Sequence, residues 1–280
     1  MAIAAIVKVW VRSAGVASVA ALAFTAVSWG AALADETSPA NPDAGSGTSW
    51  HEKTAVDVEP SGENWIGAEG YRRVAALYSG ITYAPFTNLR QDGFRLRFVS
   101  GESIYKYAGA RYDPVSDNAI WQRFTGFGRF IDALAGWQWS HQNTTIKAFA
   151  GYGYQSNLIA PYDPELKIQG TARGAKGALE IWHNWTSNTW TSLDLSGAHA
   201  NSSYSAQTRT GLRFEAFGDP GWSFGPEFAQ TGNTQTTLRR AGLFIRFEEL
   251  GYEFTISSGV ATATNNLPSG YFTGQYLRRF

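Results

Sequence analysis

The side chains able to do chemistry are few. Of the four histidines, His51 falls in a polar N-terminal stretch, His141 in an expected turn, and His183 and His199 on or near strand ends. A hydrolase of the serine type needs a hydroxyl activated by an imidazole that a third group orients. The one local pairing of that kind, His199 with Ser202 or Ser203, lies in an expected loop of small polar residues, where a solvated loop is the simpler account. No metal-ligand spacing and no phosphate-cradling glycine motif is present. The absence of cysteine excludes disulfides and thiolate metal sites. No catalytic, cofactor-binding or metal-binding residue is assigned, and no cofactor is expected.

What remains is a set of charges at alternate positions. Arg95, Arg97, Asp132, Lys147, Lys176, Glu180, Asp194, Arg209, Arg213, Glu215, Glu227, Arg240, Arg246 and Glu253 fall on the polar face, most of them between apolar neighbours. Phe94, Leu96 and Phe98 alternate with Arg95 and Arg97; Leu243, Ile245 and Phe247 oppose Arg240 and Arg246. This is the period of a β-strand with one apolar and one polar face. If the strands close on themselves, the charges face a lumen. They then either form a paired filling or line a watery passage for a solute.

The elements carrying these residues are short alternating runs from Asn64–Glu69 and Val74–Ala84 to a final strand, Gly270 to Phe280. They number about twelve, the kind of even count usual for bacterial transmembrane barrels. The fold expected is all-β, an antiparallel transmembrane β-barrel, with the closing strand pairing to Asn64–Glu69. Connections are expected to alternate: short at Thr186–Asn188, Gly218–Gly221 and Glu248–Gly251; long at Ala108–Ala119, Gln155–Ala172 and Thr262–Ser269. Counted back from Phe280, the short turns fall on one side, the periplasmic side in such barrels. Trp139, Trp185, Trp190, Phe217, Trp222, Phe247 and Tyr252 flank those turns, as an aromatic belt at a lipid–water interface would.

Ahead of the strands, Lys8 and Arg12, the apolar run Ala14–Val27 and Ala32-Leu33-Ala34 read as a secretory signal peptide over residues 1–34. Residues 35–61 read as a disordered periplasmic leader and 62–280 as the barrel. Removing Lys8 and Arg12 from 23 basic against 23 acidic residues leaves a mature charge of about −2, which argues against nucleic acid as a partner. The partners expected are outer-membrane lipid and the barrel-insertion machinery.

The segments Phe149-Ala150-Gly151-Tyr152-Gly153-Tyr154-Gln155, Pro161-Tyr162-Asp163-Pro164, Gly174-Ala175-Lys176, Gly211-Leu212-Arg213-Phe214, Gly225-Pro226-Glu227, Arg240-Ala241-Gly242 and Tyr276–Phe280 resemble the bacterial cellulose biosynthesis protein BcsS family. The resemblance implies an outer-membrane protein associated with cellulose production, export or surface attachment, with cellulose or its synthase complex as partner. It implies no catalytic residues. A neutral glucan is recognised by aromatic faces and neutral hydrogen-bonding groups, so the loop with Tyr162, Asp163 and Gln169 is the expected outward contact. Two other functions stay open: a barrel enzyme acting on lipid, and a small nonspecific channel.

Overall fold

The computed structural model describes residues 59–113, 117–264 and 267–280. The expected signal peptide and most of the expected leader lie outside them. Twelve strands follow one another: β1 (Gly62–Tyr71), β2 (Val74–Tyr83), β3 (Gly93–Asp113), β4 (Asn118–His141), β5 (Thr144–Ala160), β6 (Gly170–Asn184), β7 (Thr189–Ala198), β8 (Ser203–Ala216), β9 (Asp219–Gly232), β10 (Thr237–Glu249), β11 (Tyr252–Ala263) and β12 (Ser269–Arg279). They form one closed antiparallel barrel in which each strand pairs with its sequence neighbours and β1 with β12. The closing register runs from Glu63 opposite Arg279 to Tyr71 opposite Tyr271. Gly62 and Phe280 exchange backbone hydrogen bonds of 2.9 and 2.8 Å. The expected fold and closing pair are both present.

The burial pattern is inverted relative to a water-soluble protein. Ile131 is 60% and Leu243 66% exposed, whereas Arg95 and Glu227 are fully buried. Alternation therefore turns apolar side chains outward and charges inward, the arrangement of a lipid-exposed barrel.

Several expected boundaries are corrected. Most of Ala108–Ala119 is strand, because β3 and β4 continue as a two-stranded ribbon beyond the reach of β2. Likewise β5 runs to Ala160 and β6 starts at Gly170, so the connection shrinks to Pro161–Gln169. Outside lipid a strand needs only a backbone partner, so its side chains lose the apolar period that marks strands in the sequence. The turns are also tighter: Phe217-Gly218 and Leu250-Gly251 take positive φ at both positions, as type I′ hairpins require.

Connection lengths do not alternate strictly. Arg72-Arg73 is a tight turn at the end away from the C-terminus, and the longer connection Ala84–Asp92 lies at the C-terminal end. The latter folds into the barrel mouth: the Arg95 guanidinium donates to Thr87 Oγ1 and to the carbonyls of Asn88 and Gln91, and the Gln138 amide donates to Leu89 O. Trp190 is corrected as well. It faces the lumen, 1% exposed and stacked 4.2 Å from Trp182, because Gly211 on the adjoining strand leaves its ring a seat.

Candidate functional site

The inward charges join strands that are not neighbours, which only the interior permits. Arg97 on β3 pairs with Glu180 on β6. Lys147 on β5 reaches Glu63 on β1 at 3.0 Å, and Arg240 on β10 reaches Glu69 on β1 at 2.5 Å. Lys176 pairs with Asp132. Around Glu227 the filling is densest: its carboxylate accepts from Arg209 Nε at 2.6 Å, Gln207 at 2.9 Å, Ser257 at 2.9 Å and Tyr271 at 3.2 Å. Arg209 also donates to Gln275 on β12, whose amide donates to Tyr78 on β2.

The remaining charges expected to share this face divide by level. Arg246 near the C-terminal end pairs with Glu253 and Glu248, and its guanidinium lies 4.8 Å from the Trp182 ring. Arg213 ties the β6–β7 turn by donating to Ser187 O and Asn184 Oδ1. Arg95 is locked to the inturned Ala84–Asp92 connection described above. Asp194 stands opposite Glu180 on one side and Gln207 on the other. Glu215 is exposed at the end of β8. Glu63 and Glu69 complete the network and are absent from the expected set, although their spacing with Trp65 and Gly67 carries the same period.

At the opposite end the Pro161–Gln169 connection crosses the mouth. Asp163 is buried, and its carboxylate accepts from Tyr107 Oη at 2.6 Å and from Arg111 Nε and Nη2 at 2.8 and 2.7 Å. Gln169 Oε1 accepts the Asp163 amide. On the far side, Gln235 in the β9–β10 connection accepts the amides of Lys167 and Ile168 at 2.9 and 3.3 Å. The connection is thus latched to β3 and, nearly opposite, to the β9–β10 turn. Of the three residues expected to contact a ligand, Asp163 and Gln169 are engaged internally and Tyr162 projects, 71% exposed. Arg111 is missing from the expected set because its segment, Ala108–Ala119, reads as loop, and Tyr107 because it lies just ahead of that segment, past the alternation that ends at Phe98. The alternation of Tyr105, Tyr107 and Arg111 with small residues is the signal that the strand continues.

The two Arg111 hydrogen bonds hold the Asp163 carboxyl at about 2, against the opposing effect of burial. A depressed carboxyl stabilises the latch above its unfolded value near 4, and that contribution is lost as pH falls from about 4 through about 2. Asp163→Asn should remove the charge-assisted part of the latch, about 2 kcal/mol, or more than tenfold in local opening. Hydrogen exchange of residues 161–169 at neutral pH measures this directly; unchanged exchange would refute the latch.

Among the described residues no hydrogen bond joins an imidazole to a serine hydroxyl. His183 Nδ1 lies 2.8 Å from Thr144 Oγ1, with its ring edge-on to Trp185. His199 precedes the short 3-10 turn Ala200–Ser202. Ser203 Oγ accepts from Gln155 Nε2 at 2.8 Å.

The β domain of the Bordetella autotransporter BrkA aligns at 14% identity over 79% of this chain and 100% of that chain, with a TM-score of 0.47. LpxR from Salmonella typhimurium aligns at 12% identity over 78% and 100%, with a TM-score of 0.42. The KdgM porin, in complex with disordered oligogalacturonate, aligns at 10% identity over 78% and 99%, with a TM-score of 0.40. No curated protein matches the chain. The family described as cellulose biosynthesis protein BcsS matches residues 64–280, from the first strand of the barrel to the last residue, and the chain belongs to that family.

Proposed function

We propose that the protein is a non-enzymatic outer-membrane barrel that serves cellulose production by holding or organising the glucan at the cell surface rather than conducting it. Its N-terminal segment is removed as a signal peptide, the barrel is inserted by the outer-membrane assembly machinery, and the turn-rich C-terminal end faces the periplasm. The observation that carries the non-conducting part is the filled lumen. A water-filled passage leaves its wall wetted, whereas Arg95, Asp132, Glu227, Thr255 and Ser257 are 0–2% exposed. Ion pairs and hydrogen bonds between non-adjacent strands cross the space a sugar chain would need. Family membership supplies the link to cellulose.

Deleting the gene and measuring extracellular cellulose tests the link; normal cellulose refutes it. Complementation with a chain in which Tyr162–Ile168 is replaced by a short turn reads the contribution of the latched connection without cutting into β5 or β6. In planar bilayers the purified barrel should be nearly silent, and stable conductance of the size seen for open porins would overturn the filled-lumen reading and favour a channel.

A further inference from the structure

The outward face of the β3–β4 ribbon changes chemistry in three steps along its length. From Trp139 to Ile131 the outward side chains of β4 are apolar, a rise of about 20 Å at the usual strand tilt. Tyr152 and Tyr154 of β5 stand opposite Ala133 and Ile131 and are exposed. Above Ile131 comes Arg129, ion-paired with Glu102 at 3.0 Å, and then Phe127 beside Leu158.

The next rungs are cationic. Lys106 stands opposite Thr125, and Arg123 lies diagonal to it, opposite Ala108. Arg73 adjoins them, its carbonyl accepting the Lys106 amide at 3.0 Å. All three side chains are exposed, and among the described residues none forms an ion pair with a carboxylate. Above them Trp121 and Tyr112, 74% and 67% exposed, lie diagonal to each other on the same face.

We propose that this face binds a phosphorylated glycolipid of the outer leaflet. Its acyl chains lie against Ile131, Tyr152 and Tyr154, its phosphates meet Arg73, Lys106 and Arg123, and its headgroup sugars stack on Trp121 and Tyr112. Charge complementarity selects the occupant: cations that meet no carboxylate among the described residues, one rung beyond Phe127 and Leu158, fit an anionic amphiphile, and rings beyond the cations fit sugar faces. A neutral glucan would leave the cations without a partner. The inference rests on the outer-membrane placement proposed above.

The test uses the full mature barrel folded in detergent, with binding read by native mass spectrometry. The probes are bis-phosphorylated lipid A and the same lipid A after dephosphorylation, each with and without millimolar inorganic phosphate. The bis-phosphorylated form should bind at least tenfold tighter than the dephosphorylated one, and phosphate should not displace it. Replacing Arg73, Lys106 and Arg123 together with Gln should abolish that preference while leaving heat-modifiable gel mobility, the sign of a folded barrel, unchanged. Equal binding of the two lipids to the wild-type barrel overturns the proposal without reference to any variant. Full displacement by inorganic phosphate overturns it too, as it identifies a plain anion site. Cell fractionation tests the membrane placement separately, so the two readings fail by different measurements.

Discussion

Glu227→Ala is expected to destabilise the folded barrel by about 3–5 kcal/mol, the cost of breaking a buried ion pair from one side. Glu227 is fully buried and is the common acceptor for Arg209, Gln207, Ser257 and Tyr271, so its removal strands four donors. Arg209, 12% exposed at its side chain, would be left as an uncompensated charge. Its contact with Gln275 on β12 cannot neutralise it. Adding Arg209→Met should restore most of the loss, because exchanging both charges for apolar groups removes the desolvation cost as well as the attraction. Urea titration of the barrel in lipid vesicles, followed by tryptophan fluorescence, reads both variants. A single-variant loss under about 1 kcal/mol would mean that the site is wetted and the lumen is not packed as described.

Gly225→Val should yield no folded barrel. Gly225 points inward where β9 approaches β8 so closely that a Cβ would lie 1.8 Å from the Thr210 carbonyl oxygen and 3.3 Å from Gly211 Cα. Neither obstacle is a side chain that can swing away. Pro226, which follows, has no N–H to offer the ladder, and the β8–β9 pairing skips Thr210 and Gly211 there. The backbones approach so closely at this point that only a glycine fits. Gly197→Ala is the matched control, since a Cβ there meets nothing within 4 Å. Heat-modifiable gel mobility separates the outcomes: Gly197→Ala should match the wild type, and a folded Gly225→Val barrel would refute the close approach.

How far the sequence carried depends on where lipid imposes a pattern. Between the interfaces each strand must turn apolar groups out and satisfy its polar groups within, so runs such as Ile131-Asp132-Ala133 and Leu243-Phe244-Ile245-Arg246 announce both strand and face. Beyond lipid the requirement lapses, which is why Arg111 reads as loop although it is strand. Trp190 misleads for a different reason. Its position beside a turn fits an interfacial belt, and only the register, which sets Gly211 beside it, shows that the ring turns inward. Partnerships within the lumen were the least legible part. Period two says that Arg97 and Glu180 share the interior, but their meeting depends on how the closed sheet coils. Asp163 illustrates the same limit, being a polar loop residue by sequence and a buried anchor by structure.

The reciprocal bonds between Gly62 and Phe280 also bear on assembly. The seam joins the two most distant parts of the folded chain, and Gln275 reaches Tyr78 from 197 positions away. High contact order of this kind makes closure slow, because chain entropy is lost before the seam repays it. Until β12 docks, β1 and β11 each present an open ladder able to capture a strand from another molecule. The final strand is therefore the one whose delay leaves the whole chain vulnerable to aggregation, and its arrival removes two edges at once.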